Sequence, residues 1–225
     1  MGEVIGALLP YAVGVAISPV PLIAVILTLL GPRARTSSLG FLVGWVIGIL
    51  IGFTALSLLS GLLPEAGDAG PRPVIGVIQV ALGLLLVWIS ARQWQQRPHR
   101  GDVPELPGWM QKIDSYGFGR SLRLGVALAV ANPKNLTLTA SASVVVGSAE
   151  LGVTAAAVAV GVFTVLGASS VIIPVLGMQI AGDRLAGPLA SLRAWLTREN
   201  HVIMAVLFLI LGVNAIGSGI GSIWP

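Results

Sequence analysis

One lysine stands where a charge is costly. Lys134 belongs to the run Asn132-Pro133-Lys134-Asn135, inside an otherwise apolar stretch, while all nine acidic residues fall in loops or near the ends of such stretches. A charge within a bilayer costs from about 3 kcal/mol upward, so it normally faces a cavity and marks function. Three outcomes are open to this lysine. Its ammonium reaches the membrane surface, or it sheds its proton in a low-dielectric surround, or it meets an anionic group brought by a substrate. Polar neighbours surround it in sequence: Asn132, Asn135, Thr137, Thr139, Ser141 and Ser143. A second run, Ser18-Pro19-Val20-Pro21, also sets a small polar residue before proline in an apolar stretch. A proline inside a helix removes one amide donor and disturbs the carbonyl four residues back. Backbone groups freed at membrane depth must find protein or water, so breaks of this kind usually line a cavity. Lys134, Asn132, Asn135 and Ser18 are therefore the candidate substrate-binding residues, and Pro19, Pro21 and Pro133 the candidate helix breakers. The simpler alternative is a plain proline kink at each place.

Other chemistry finds little support. There is no cysteine, which excludes disulfides, thiolate metal sites and cysteine catalysis. The two histidines, His99 and His201, lie in or beside loops, and the apolar stretches hold no oxygen or imidazole cluster to hold a metal. No HExxH, phosphate loop or paired intramembrane carboxylates are present. We expect no enzyme, metal or cofactor. The net charge of +4 comes from basic residues in short loops, which topology and anionic headgroups explain without nucleic acid.

The elements that must carry these residues follow from composition. The chain is 55% hydrophobic and 10% charged, against about 25% charged in soluble domains. Six apolar stretches, near residues 4–30, 37–60, 73–90, 121–147, 151–180 and 202–223, are each long enough for helix to cross a ~30 Å hydrocarbon layer. They are continuously apolar rather than alternating, which favours helices over a barrel. Pro174 should kink the fifth. Eleven of the 13 Lys and Arg residues (33, 35, 92, 97, 100, 112, 120, 123, 184, 193 and 198) fall in alternate loops. The positive-inside rule makes that side cytoplasmic and puts both termini outside, in the inner (plasma) membrane. The start reads as a retained first span, since it lacks a basic leader. Residues 188–198, with Leu189, Leu192 and Leu196 on one face, read as an in-plane helix, and Trp109, Ile113 and Tyr116 as a shorter surface element. Trp45, Trp88, Trp94 and Trp224 read as interfacial belt residues.

A repeat is visible. Gly14-Val15-Ala16 precedes Ser18-Pro19, and Gly125-Val126-Ala127 precedes Asn132-Pro133. The first and fourth spans enter from opposite sides, so the halves would be inverted copies. The expected fold is an all-α membrane protein of six transmembrane helices, an inverted three-plus-three repeat with proline-broken helices 1 and 4. Its parts are a first repeat at 1–90, a cytoplasmic connection at 91–120 and a second repeat at 121–225. Gly40, Gly44, Gly48 and Gly52 recur every fourth residue on the second span and form a stripe for close helix packing, static, sliding or between two copies.

Six spans, an inverted repeat and Asn132-Pro133-Lys134-Asn135 together resemble the lysine-exporter (LysE) superfamily. The Ser18-Pro19-Val20-Pro21 turn and broken fourth span resemble its GAP, or sulfolipid-addressing, branch most closely, over nearly the whole chain. The resemblance implies movement of envelope lipids such as glycopeptidolipids and sulfolipids toward the surface of bacteria with waxy envelopes. It implicates Asn132, Pro133, Lys134 and Asn135, with Ser18, Pro19 and Pro21 opposite. Acidic and cysteine pairs of metal-exporting and thiol-redox relatives are missing, so those activities are not implied. The expected function is a transporter that assists export of an amphipathic, anionic cell-envelope lipid or glycolipid. The alternatives are an exporter of a small solute (an amino acid or organic anion) and a non-transporting scaffold for lipid-export machinery. Expected partners are membrane lipids, the anionic substrate, a second copy of the chain and lipid-export machinery.

Overall fold

A computed structural model describes residues 1–62, 73–97, 108–147, 149 and 151–224. His99 and Arg100, named above, and the loop residues Glu65, Asp68, Arg72 and Glu150 lie outside them. The described residues are helical throughout, in the order α1 (Gly2–Ala16), α2 (Pro19–Leu29), α3 (Ala34–Leu62), α4 (Pro73–Gln95), α5 (Phe118–Val130), α6 (Pro133–Gly147), α7 (Val153–Ala181) and α8 (Ala186–Ile223). Short 3-10 turns at Met110–Ser115 and Gly182–Leu185 precede α5 and α8.

Among the described residues, three helices are long and apolar enough to cross a membrane: α3, α7 and α8. The pair α1–α2, bent by 55° at its break, makes a fourth if counted as one span. The sequence places its third span on the 23-residue α4 and its fourth on the α5–α6 pair.

Both breaks have a local cause. Proline pushes the preceding residue out of the helical region. Ser18, before Pro19, is extended (φ −114°, ψ 109°), and Asn132 stands between α5 and α6 directly before Pro133. Proline alone is not enough, because Pro10 and Pro174 sit inside uninterrupted helices. At the broken positions a small polar residue occupies the N-cap and proline the first helical position, where its missing N–H costs nothing. The expected in-plane helix at 188–198 is instead continuous with the sixth span in the 38-residue α8. Between Trp195 and Val202 the chain has charged and polar residues but no glycine or proline, so nothing ends the helix there.

The chain divides into two compact units. The first holds residues 1–63 and 106–194. In it α3 packs along α5 and against α6 and α7, and α1 packs against α6 and α7. Trp45 is fully buried and stacks on Phe41, so it belongs to this core and not to a membrane-surface belt. Phe53 on α3 stacks on Phe163 of α7 at 4.4 Å. The 3-10 turn at Met110–Ser115 buries Met110 and Ile113 and packs against α2. The Ser37 hydroxyl donates to the Tyr116 carbonyl at 2.6 Å, so this element is docked on protein.

The second unit, residues 64–105 and 195–225, pairs α4 with the later part of α8. A methyl at Gly76 would meet the carbonyl of Gly219, and one at Gly83 that of Gly212, at 2.6 and 2.7 Å. The Ser90 hydroxyl donates to the Ala205 carbonyl at 2.7 Å. The first member rises by seven while the second falls by seven, so the helices are antiparallel with a small residue at each heptad contact. Close approach of backbones, rather than bulk apolar side chains, holds this pair.

Candidate functional site

The two helix breaks meet at Lys134. Asn132 caps α6: its side-chain oxygen accepts the Lys134 N–H at 3.1 Å, and its carbonyl accepts the Leu136 N–H at 2.9 Å. The N-cap of α2 is Ser18, and its side chain makes no such bond. In an unbroken helix the Ile17 carbonyl would accept from residue 21, but that residue is Pro21 and has no N–H. The Lys134 ammonium takes its place, with Nζ donating to the Ile17 carbonyl at 2.5 Å. A side chain from the second half of the sequence thus satisfies the acceptor left open by a proline in the first.

The surroundings are buried and polar. Ser18, Lys134 and Asn135 are 1, 2 and 1% exposed. Neither the Ser18 hydroxyl nor either end of the Asn135 amide has a hydrogen-bond partner among the described residues. Each such group, buried and unpaired, costs about 1–3 kcal/mol. Among the described residues no carboxylate lies within ion-pair distance of Lys134, and no cluster of histidine or acidic residues could hold a metal. Two helix N-termini, α2 and α6, add their partial positive charge to the ammonium. A cation in the first turn of α6 is itself unfavourable, and its bond to the Ile17 carbonyl offsets part of that cost. Thr137 is turned aside, exposed, with its hydroxyl on the Pro133 carbonyl at 2.8 Å. Ser143 bonds the Ala140 carbonyl at 2.8 Å and Thr139 is buried. On α1, a methyl at Gly14 would press the Leu138 side chain at 2.9 Å, so α1 and α6 pack tightly just beyond the break.

About one α2 length away, ~15 Å at 1.5 Å per residue, two clefts flank the far end of α2. One, of about 330 Å³, is lined by Leu29, Arg35, Ser38 and Gln179 among others. The other, of about 300 Å³, is lined by Leu27, Leu30, Gln111, Asp114 and Arg193.

The glycine stripe divides. Methyls at Gly40 and Gly44 would strike the carbonyls of Phe118 and Leu122 at 2.4 and 2.0 Å, and one at Gly48 would strike Ala129 at 2.6 Å. Gly52 would meet nothing within 4 Å. Three of the four glycines therefore bring α3 onto α5, which leads into the Asn132 break. Sequence reasoning missed Ile17 as the lysine's partner, because a carbonyl has no side-chain signature. It also missed the heptad of small residues at 76, 83 and 90 and at 205, 212 and 219, although that spacing was visible.

A family model for Sap, the sulfolipid-1-addressing protein, matches residues 8–221. The chain belongs to the Sap family. No curated protein and no solved structure matches it. Both breaks, Lys134 and the α3–α5 seam all lie within the matched region of this Sap member. The family takes its name from the addressing of a lipid, and no enzyme family is indicated. Its several long apolar helices are compatible with a multi-pass membrane protein.

Proposed function

We propose that this chain is a transporter of the inner membrane that assists export of an anionic, amphipathic envelope lipid, with Lys134 receiving the headgroup. The observation that carries this reading is a buried ammonium whose only partner among the described residues is a backbone carbonyl, at the meeting of two helix N-termini. A neutral carbonyl solvates the ammonium without cancelling its charge. An anion would cancel it, and would also accept from the Ser18 hydroxyl and the Asn135 amide. The family name points to a sulfolipid, and a sulfate ester is anionic throughout the physiological pH range. The lipid's apolar chains fit a protein whose exposed surface is rich in leucine, valine and isoleucine.

Six spans arranged as an inverted repeat form the architecture of this proposal: α1–α2, α3 and α4 in the half at 1–90, then α5–α6, α7 and α8 in the half at 121–225. Three observations support it. Each half has a helix broken before proline. Each compact unit draws corresponding helices from both halves. The glycine contacts repeat: Gly76, Val80, Gly83 and Val87 correspond at one constant offset to Gly212, Ile216, Gly219 and Ile223. A methyl at Gly219 would meet Val80 and one at Gly212 would meet Val87, as methyls at Gly83 and Gly76 would meet Ile216 and Ile223. The basic connection at 91–120 is cytoplasmic and both termini are outside. A membrane-impermeant maleimide should then label Val153→Cys, exposed at the start of α7, from outside intact cells, and Gln96→Cys only after permeabilisation. The reverse pattern inverts the orientation.

The functional test is a deletion strain complemented with wild type, Lys134→Gln or Lys134→Arg at matched membrane levels, read by lipidomics of the cell surface. We expect Gln to abolish export and Arg to retain part of it. A normal surface-lipid profile with Gln refutes the headgroup role. Loss of a small organic anion's export with lipids unchanged would identify a solute exporter. Lipid export lost only when the basic loops are altered would identify a scaffold.

A further inference from the structure

The unit that pairs α4 with the later part of α8 carries a groove of its own. A groove of about 450 Å³ runs between the two helices, lined by Val87, Ser90, Ala91, Trp94, Ala205 and Leu209 among others. Its size falls in the ~300–1,000 Å³ range of small-molecule sites. Its walls are nearly all apolar. The one hydroxyl, Ser90, is already engaged with the Ala205 carbonyl, and Gln95 is the other polar residue of the lining.

Its rim differs. Trp94 forms part of the wall and is half exposed, and the Arg97 guanidinium lies over its ring at 4.5 Å. One Arg97 nitrogen also donates to the Trp94 carbonyl at 3.3 Å. A guanidinium stacked by its face keeps other N–H groups on its edge directed outward, the geometry that takes a phosphate in a two-pronged bond. Arg92 stacks over Trp88 at 4.3 Å and places a second positive charge at the same end of α4. Among the described residues neither arginine has a carboxylate partner. This is the helix end that the distribution of basic residues assigns to the cytoplasm, where anionic phospholipids are presented.

We propose that the groove holds an acyl chain of an anionic phospholipid of the cytoplasmic leaflet, with its phosphate on Arg97. The apolar walls take the chain, Trp94 takes the glycerol level where amphipathic rings settle, and charge complementarity selects the headgroup.

The test uses the full-length protein, exchanged into vesicles of equal phosphatidylglycerol and phosphatidylcholine, extracted in mild detergent and read by native mass spectrometry. Wild type should retain one phosphatidylglycerol in preference to phosphatidylcholine. Arg97→Gln should lower that retention about fivefold, the weight of one basic residue facing an anionic surface. Ala91→Phe, at an exposed position in the groove wall, should remove both lipids. Lys134→Gln should retain phosphatidylglycerol as wild type does, which separates this place from the export site. Equal retention of the two lipids, or retention unaltered by both Arg97→Gln and Ala91→Phe, overturns the proposal. So does a second copy of the chain bound in place of lipid.

Discussion

The stripe on α3 allows one substitution to be tested with opposite signs a few turns apart. A methyl at Gly44 would sit 2.0 Å from the Leu122 carbonyl oxygen, where Cβ atoms essentially never come closer than 3.0 Å. Backbone cannot yield as a side-chain tip can, so α3 and α5 must part by roughly 1 Å, which on the scale of overpacked cores costs about 1–3 kcal/mol. Against this stands a gain of up to ~1 kcal/mol from replacing a helical glycine by alanine. With that gain subtracted in full, the net expectation for Gly44→Ala is a loss of up to about 2 kcal/mol. Gly52→Ala meets nothing within 4 Å, so only the propensity gain remains and the protein should be stabilised by up to ~1 kcal/mol. Unfolding in mixed micelles, followed by tryptophan fluorescence, measures both, and the buried Trp45 lies one residue from Gly44 on the affected helix. If Gly44→Ala is as stable as Gly52→Ala, the close approach of α3 and α5 is wrong and with it the alignment that places the Asn132 break.

Two further substitutions probe the breaks. Pro21→Ala restores the N–H that a continuous α1–α2 helix would donate to the Ile17 carbonyl, in competition with Lys134. Folded yield should hold while lipid export falls, as lipidomics and thermal unfolding at matched expression would register. Asn132→Ala removes the cap on the Lys134 N–H and should cost about 1 kcal/mol, within the 0.5–2 kcal/mol range for caps, in the same unfolding assay. A larger effect would mean that Asn132 does more than cap.

What could be read in the sequence was local. The breaks at Ser18-Pro19 and Asn132-Pro133 were legible because proline acts on its own neighbours, and the run of apolar residues announced helix. The partner of Lys134 was not legible, since the Ile17 carbonyl lies 117 positions away and only the tertiary fold brings them together. Asn135 could be named as polar and intramembrane, but that both ends of its amide lack a protein partner required the packing. The sequence suggests a separate in-plane helix because charge ordinarily ends a span, whereas Arg198 and Glu199 form an ion pair on a helix that simply continues. Gly76, Gly83 and Ser90 showed their heptad in the sequence, yet the seam exists only once the partner heptad at 205, 212 and 219 is known.

The two breaks are alike in sequence and unlike in chemistry. The one before Pro133 is closed from within, since Asn132 supplies both the cap and the first helical carbonyl. The one before Pro19 is closed from without, by a borrowed ammonium, and its own Ser18 holds nothing. A ligand that draws Lys134 away leaves the first joint with an open acceptor and the second intact. On the proposed function, compliance would be concentrated at Ile17–Ser18, with α1 and α2 as the arm that bends and α6 as the post against which it turns.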